Sequence, residues 1–149
     1  MHQFVYPLKR LTELAARDRR ALAAAACYLL RASVIYRRQP ASALITRLQR
    51  SSGDRRPDER PMPVDADRML WALDAAGRWL PWRTDCLVQA LAADLWLDRL
   101  HVASTFHLAV DAGAPADGDP AAAHAWLEVD GQPVSGGRRD PAMTRFAEV

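Results

Sequence analysis

Apolar residues recur every three or four positions through the first hundred residues of this chain, and every second position in the strand-like segments that follow. Leu8, Leu11, Leu14 and Ala15 share one helical face. A second helix opens at Asp18, a favourable N-cap, and carries Leu22, Ala25, Ala26, Leu29, Leu30, Ser33 and Tyr36 along its inner stripe. Pro40 stops it, and a short third helix holds Leu44, Ile45 and Leu48. Farther on, Asp65 caps a helix with Ala66, Met69, Leu70, Leu73, Ala76 and Leu80 inward, ended by Pro81. Thr84 or Asp85 caps the next one, and Cys86 to Leu100 is the most apolar helical stretch of the chain. From Val102 to Val110 the period drops to two, with Phe106, Leu108 and Val110 on one side and Thr105, His107 and Ala109 on the other. Ala123 to Val129 reads as a second strand. Asp130-Gly131 is a two-residue hairpin signal, so Gln132 to Ser135 is the returning strand and Pro141 to Val149 a short tail.

Two segments break this pattern. Ser51 to Pro63 (SSGDRRPDERPMP) has three prolines and many charges but almost no apolar side chains, which predicts a linker. Asp111 to Ala122 is rich in glycine, proline and aspartate, hence a loop. The chain therefore divides into an N-terminal helical segment (1–50), a linker (51–63) and a core (64–149). Helices followed by strands predict an α+β fold, with the helix opened by Cys86 packed on a small antiparallel sheet and preceded by N-terminal helices.

Charge changes the picture only in part. Residues 1–60 carry 13 Lys/Arg against 5 Asp/Glu, and the remainder 7 against 13. Without interleaved aromatics, the arginines read as the wet face of amphipathic helices rather than as a nucleic-acid surface. The longest apolar run, Ala21 to Leu30, is about half of what a bilayer crossing needs, and the N-terminus lacks the order of a signal peptide. The expectation is a cytoplasmic protein without nucleic-acid or membrane partners. Two cysteines make no disulfide framework, and with four scattered histidines they offer no metal-binding spacing, so neither metal nor cofactor is expected. Cys27, inside the alanine-rich stretch, reads as an inert buried thiol.

Cys86 is different. It lies in the first turn of a buried helix, where unpaired N–H groups and the helix dipole favour a negative charge, and the thiolate is the nucleophile. The same N–H groups suit an oxyanion formed when a thiolate attacks a carbonyl. Asp85 opposes this through like charge unless its carboxylate is committed to the cap. Alone, such a cysteine is more often a small hydrophobe. His124 stands on a strand with Trp126 and Glu128 on its face, while Ala125, Leu127 and Val129 fill the other. An imidazole near the start of a half-buried strand needs a partner. A thiol at the helix start is one such partner; a backbone carbonyl is the plain alternative.

The stretch Leu80 to Leu87 (LPWRTDCL), then Ala90-Leu91-Ala92, then Ala123 to Glu128 (AHAWLE) with Asp130-Gly131, resembles the transglutaminase-like cysteine peptidases of lasso-peptide biosynthesis. These are the B proteins, here in stand-alone form, that remove the leader from a ribosomally made precursor. His124 follows Cys86 by 38 positions, an interval that suits the family, and the arginine- and alanine-rich helices are similar to its N-terminal part. The resemblance covers most of the chain, most strongly from Val64 to Gly137. It implies a transglutaminase-like (papain-like) core in which Cys86 forms a thioester with the leader's last carbonyl. His124 is then the general base and later the acid for the leaving amine. It implies no cofactor, a small winged-helix leader-recognition protein as partner, and an asparagine-synthetase-like macrolactam cyclase acting next.

The family commonly carries an acidic residue on the strand after the His-Ala-Trp strand. This chain reads Gln132-Pro133-Val134-Ser135-Gly136-Gly137 there, and the hairpin register sets His124 opposite Gly137. Asp140 is the first choice for the third catalytic group. Asp130 is the weaker one, at the far end of the hairpin, about 20 Å away at strand rise; Ser135 or a backbone carbonyl is the remaining possibility. Two rival readings share the architecture: an acyltransferase, and an inactive leader-binding scaffold. Among lesser features, Trp79 and Trp82 read as core or pocket wall, Trp96 as helical core, and Trp126 as plain core packing or a cover for His124. His2, His101 and His107 read as bystanders, and the 111–122 loop as a gate or a plain connection before His124.

Overall fold

The computed structural model describes residues 14–54, 63–82, 84–110, 123–136 and 145–146. Four helices lie among them: α1 (Ala16–Arg38), α2 (Ala41–Asp54), α3 (Ala66–Trp79) and α4 (Cys86–Arg99). The strands are β1 (Thr105–Val110), β2 (Ala123–Val129), β3 (Gln132–Pro133) and β4 (Arg145–Phe146), antiparallel in the order β3-β2-β1-β4. The α+β expectation stands. The expected helical face at Leu8 and Leu11 lies outside the described residues.

Helix α4 is the centre of the core. Leu87, Val88, Ala90, Leu91, Ala92, Ala93 and Leu97 are all buried, on every side of the helix, as a helix enclosed by neighbours requires. Helices α1 and α3 pack on it and on each other, and β2 lies against it through Ala125 and Leu127. Alanines at 21, 25 and 32 beside Leu29 let α1 approach closely. Asp65 and Asp85 cap α3 and α4 as expected, accepting from Arg68 N at 3.0 Å and Val88 N at 2.9 Å.

Several boundaries differ from expectation. Asp18 does not cap α1: Ala15 holds that position without a side-chain hydrogen bond, and Asp18 lies in the first turn, accepting from Arg68 Nε at 3.0 Å. A carboxylate is favoured at both places, by capping and by the helix dipole, so the sequence signal was ambiguous. Helix α2 runs past Ser51 to Asp54, four residues into the expected linker. Ser51 Oγ donates to Asp94 Oδ1 of α4 at 2.7 Å. Ser52 Oγ donates to the Ser104 carbonyl at 2.8 Å and accepts from Phe106 N at 2.6 Å. These distant partners keep the last turn helical; residues 55–62 lie outside the described ones.

Strand β1 starts at Thr105 rather than Val102 because the chain first closes α4. His101 takes a left-handed φ of 56°, its N–H reaching Asp98 O and that of Val102 reaching Leu97 O, a Schellman closure. The hairpin turn has φ 51° at Asp130 and 77° at Gly131, the two positive angles of a type I′ turn. It sets Val129 against Gln132 and Glu128 against Pro133. The ladder ends at Pro133, short of the expected Ser135, although Val134 N still bonds Leu127 O at 2.9 Å. Ser135 Oγ then accepts from Leu127 N at 3.0 Å where a backbone carbonyl would continue the ladder. The tail contributes an edge strand, β4, on Leu108 and Ala109 of β1.

Gly136 leaves the hairpin with φ 85°, and a Cβ there would lie 2.7 Å from Trp126 Cβ and 2.8 Å from the Ala125 carbonyl. Gly136→Ala is expected to destabilise the fold by about 2 kcal/mol or more, combining a forbidden φ with backbone overlap. Urea denaturation monitored by circular dichroism measures it.

Candidate active site

Cys86 is the first residue of α4 and is half-buried. Among the N–H groups of the first helical turn, Val88 N is committed to the Asp85 carboxylate, and Gln89 N makes the first intrahelical bond, to the Asp85 carbonyl. Those of Cys86 and Leu87 remain at the thiol's end of the helix, the right place to receive an oxyanion.

The loop before Cys86 is fixed by α1. Trp82 Nε1 donates to Ser33 Oγ at 2.9 Å, and Ser33 Oγ donates to the Leu29 carbonyl at 2.7 Å. Thr84 Oγ1 donates to the Gly77 carbonyl at 3.4 Å. One turn beyond Ser33, Tyr36 reaches Asp85. The negative Asp85 carboxylate, with burial, a hydrogen bond to that carboxylate and charge at Cys86 adding to it, holds the phenol above its ordinary pKa. Tyr36 therefore stays a donor at neutral pH, and Asp85 is shared between the cap and a phenol. That commitment limits its repulsion of a thiolate next door. Asp85→Asn keeps an acceptor for Val88 N but removes the charge, and should raise the alkylation rate of Cys86 by iodoacetamide about two- to fivefold. A fall in rate would mean that cap geometry outweighs charge.

The thiol meets the sheet at the start of β2. Cys86 Sγ lies 3.7 Å from the carbonyl oxygen of Ala123, the residue bonded to His124. The hydrogen bond runs to that carbonyl, and no thiol–imidazole hydrogen bond forms among the described residues. The His124 ring instead stacks on Trp126, centroids 5.5 Å apart at 25°. Burial lowers the His124 pKa from its ordinary 6.5, which favours the neutral, proton-accepting imidazole.

The other sequence-derived candidates scatter. Asp140 and Gly137 lie outside the described residues, as does the 111–122 loop. Asp130 is exposed at the hairpin turn, at the opposite end of β2 from His124. Ser135 Oγ is held by Leu127 N. His107 is more than a bystander: it stacks on Trp126 at 5.1 Å, and its Nε2 is 3.2 Å from Glu128 Oε2. Trp126 does lie over His124. Trp96 stacks on Tyr28 at 5.6 Å, while Trp79 is 56% exposed and so is not core. Cys27 is exposed rather than buried, because α1 turns its 21–25–29–32 stripe inward and residue 27 lies opposite. Sequence reasoning missed the roles of Ser33, Tyr36 and Glu128. Ser33 and Glu128 had a signal, as polar residues at positions that fold inward and so need partners.

Comparison with known proteins agrees with the α+β fold. No curated protein and no solved structure matches the chain, but residues 26–149 match the transglutaminase-like superfamily, from within α1 to the last residue. The chain therefore belongs to the transglutaminase-like superfamily, which includes cysteine peptidases and transglutaminases.

Proposed function

We propose that this protein is a cysteine peptidase that removes the leader from a lasso-peptide precursor before macrolactam closure. The observation that carries the reading is the placement of Cys86, first in the buried helix, with Sγ 3.7 Å from the carbonyl that precedes His124. One peptide unit separates that carbonyl from the residue that bears the imidazole, so thiol and histidine share one end of β2. His124 takes the thiol proton, and Sγ attacks the leader's last carbonyl carbon. The oxyanion is held by the Cys86 and Leu87 N–H groups. The C–N bond breaks as His124 returns the proton to the leaving amine, which becomes the N-terminus of the core peptide. Water, deprotonated by His124, then hydrolyses the thioester and releases the leader as a carboxylic acid with the thiol restored.

The reading extends to partners. A small winged-helix recognition protein presents the leader, and an asparagine-synthetase-like cyclase consumes the freed amine; the basic helices of residues 1–60 and the acidic 111–119 stretch are the docking candidates. The test is mass spectrometry of a precursor peptide incubated with the full chain, alone and with such a recognition protein. Expected are a leader acid, a core with a new N-terminus, and at least about tenfold stimulation by the partner, as effective concentration at the site rises. Tight binding and full-rate cleavage by the chain alone would remove the partner from the scheme. Transfer of the acyl group to an added amine in preference to water would make the enzyme an acyltransferase. Binding without turnover under both conditions would make it a scaffold.

A further inference from the structure

On the sheet face that bears His124, the imidazole stands in an array with three side chains that the reaction just described does not use. β2 contributes His124, Trp126 and Glu128 at every second position. β1 contributes His107, which the strand register sets directly opposite Trp126. The indole is 4% exposed and Glu128 8%. Both carboxylate oxygens are engaged: Oε1 accepts from Trp126 Nε1 at 3.0 Å, and Oε2 lies 3.2 Å from His107 Nε2. Two imidazoles stack on the indole, His107 at 5.1 Å and 15°, His124 at 5.5 Å and 25°. Behind it, the backbone at Gly136 comes so near that a Cβ would overlap Trp126 Cβ. The indole is therefore fixed at its edge, by the stacked His107 ring and at its root.

We propose that Trp126, locked by Glu128 and His107, is the positioning residue for His124, and that its indole face sets the plane of the catalytic imidazole. This rests on the peptidase reading for the role of His124. A carboxylate orients a histidine by occupying a ring nitrogen. A stack holds the ring by its face and leaves Nδ1 and Nε2 free at the edge, one for the thiol and one for an acceptor. The electron-rich indole also attracts the imidazolium that forms when the thiol proton is taken up. The stack fixes the plane of the ring, while the nitrogen acceptor, for which Asp140 is the sequence's first choice, fixes the tautomer; the two tasks do not compete.

The first measurement needs no substrate. In the proton NMR spectrum of the full chain, the His124 ring protons, assigned with His124→Ala, should be shifted upfield by the indole ring current. The shift should persist in part in Trp126→Phe and vanish in Trp126→Leu. Unshifted His124 protons in the wild type overturn the proposal whether or not any variant folds. Kinetically, Trp126→Leu should lower kcat about thirtyfold with KM nearly unchanged, because a loosely held base misses its near-attack geometry. Trp126→Phe, which keeps a ring face, should restore most of that loss. Glu128→Gln, which leaves the indole in place but loses the charged partner of His107, should cost about threefold. A folded Trp126→Leu enzyme with wild-type kcat, or with a changed KM alone, overturns the proposal. Iodoacetamide alkylation of Cys86 separates the two ideas. If His124→Ala leaves that rate unchanged, the Cys–His reading fails. If His124→Ala slows it and Trp126→Leu does not, the reading stands and the positioning role of Trp126 fails.

Discussion

Cys86→Ala is expected to abolish cleavage, by on the order of 10⁴-fold or more, since the thiol that would form the thioester at this site is gone. The fold should survive. Cys86 is half-buried at the very start of α4, its thiol makes the long 3.7 Å contact to Ala123 O, and the cap belongs to Asp85. Alanine is also the best helix former, so the helix start loses nothing. Cys27 is the internal control: it is exposed on the outer side of α1, and Cys27→Ala should keep both fold and activity. Mass spectrometry of the products, beside thermal unfolding of each variant, reads both outcomes. A chelator-sensitive activity that survives in Cys86→Ala would assign the chemistry to something other than the thiol.

The parts of the fold legible in the sequence are those whose signal is local. Asp65 and Asp85 each precede an apolar helical run by one residue and bond the N–H three residues on. Asp130-Gly131 carries the two positive φ values of its turn in its own residue types. The positions of Cys86 at a helix start and His124 near a strand start were legible because both are local events. Where partners are distant the sequence was silent. Ser51 and Ser52 look like turn residues, yet they bond Asp94, Ser104 and Phe106 and keep α2 helical. The two-residue strand β4 exists only because β1 offers an edge at Leu108 and Ala109. Cys27 reads as buried from the sequence because a run of alanines precedes it and apolar residues follow it, hiding which face of α1 turns inward. Tyr36 sits on an apolar stripe and gave no sign that it would meet a carboxylate forty-nine positions away.

His124→Ala should cost nearly as much as loss of the thiol, on the order of 10³- to 10⁴-fold in kcat, because proton uptake and return both pass through this one ring. The direction of its pKa shift adds a pH signature. Burial lowers the pKa below 6.5, so the imidazole stays neutral and able to accept the thiol proton as the solution becomes mildly acidic. The acid limb of kcat/KM for the peptidase should therefore lie below pH 6.5 and be governed by this group. An acid limb above that value would mean that a neighbouring negative charge outweighs burial in the working enzyme. Asp140 is the residue to test for that charge. Asp140→Ala should lower kcat tenfold to a thousandfold, about what a poorly held ring costs. It should also move the acid limb to lower pH, since removing a carboxylate destabilises the imidazolium. A merely structural Asp140 would lower activity through stability and leave the limb where it was. With an unaffected Asp140→Ala enzyme, the catalytic unit is a Cys86–His124 dyad, and the orientation of its base falls to the stacked indole alone.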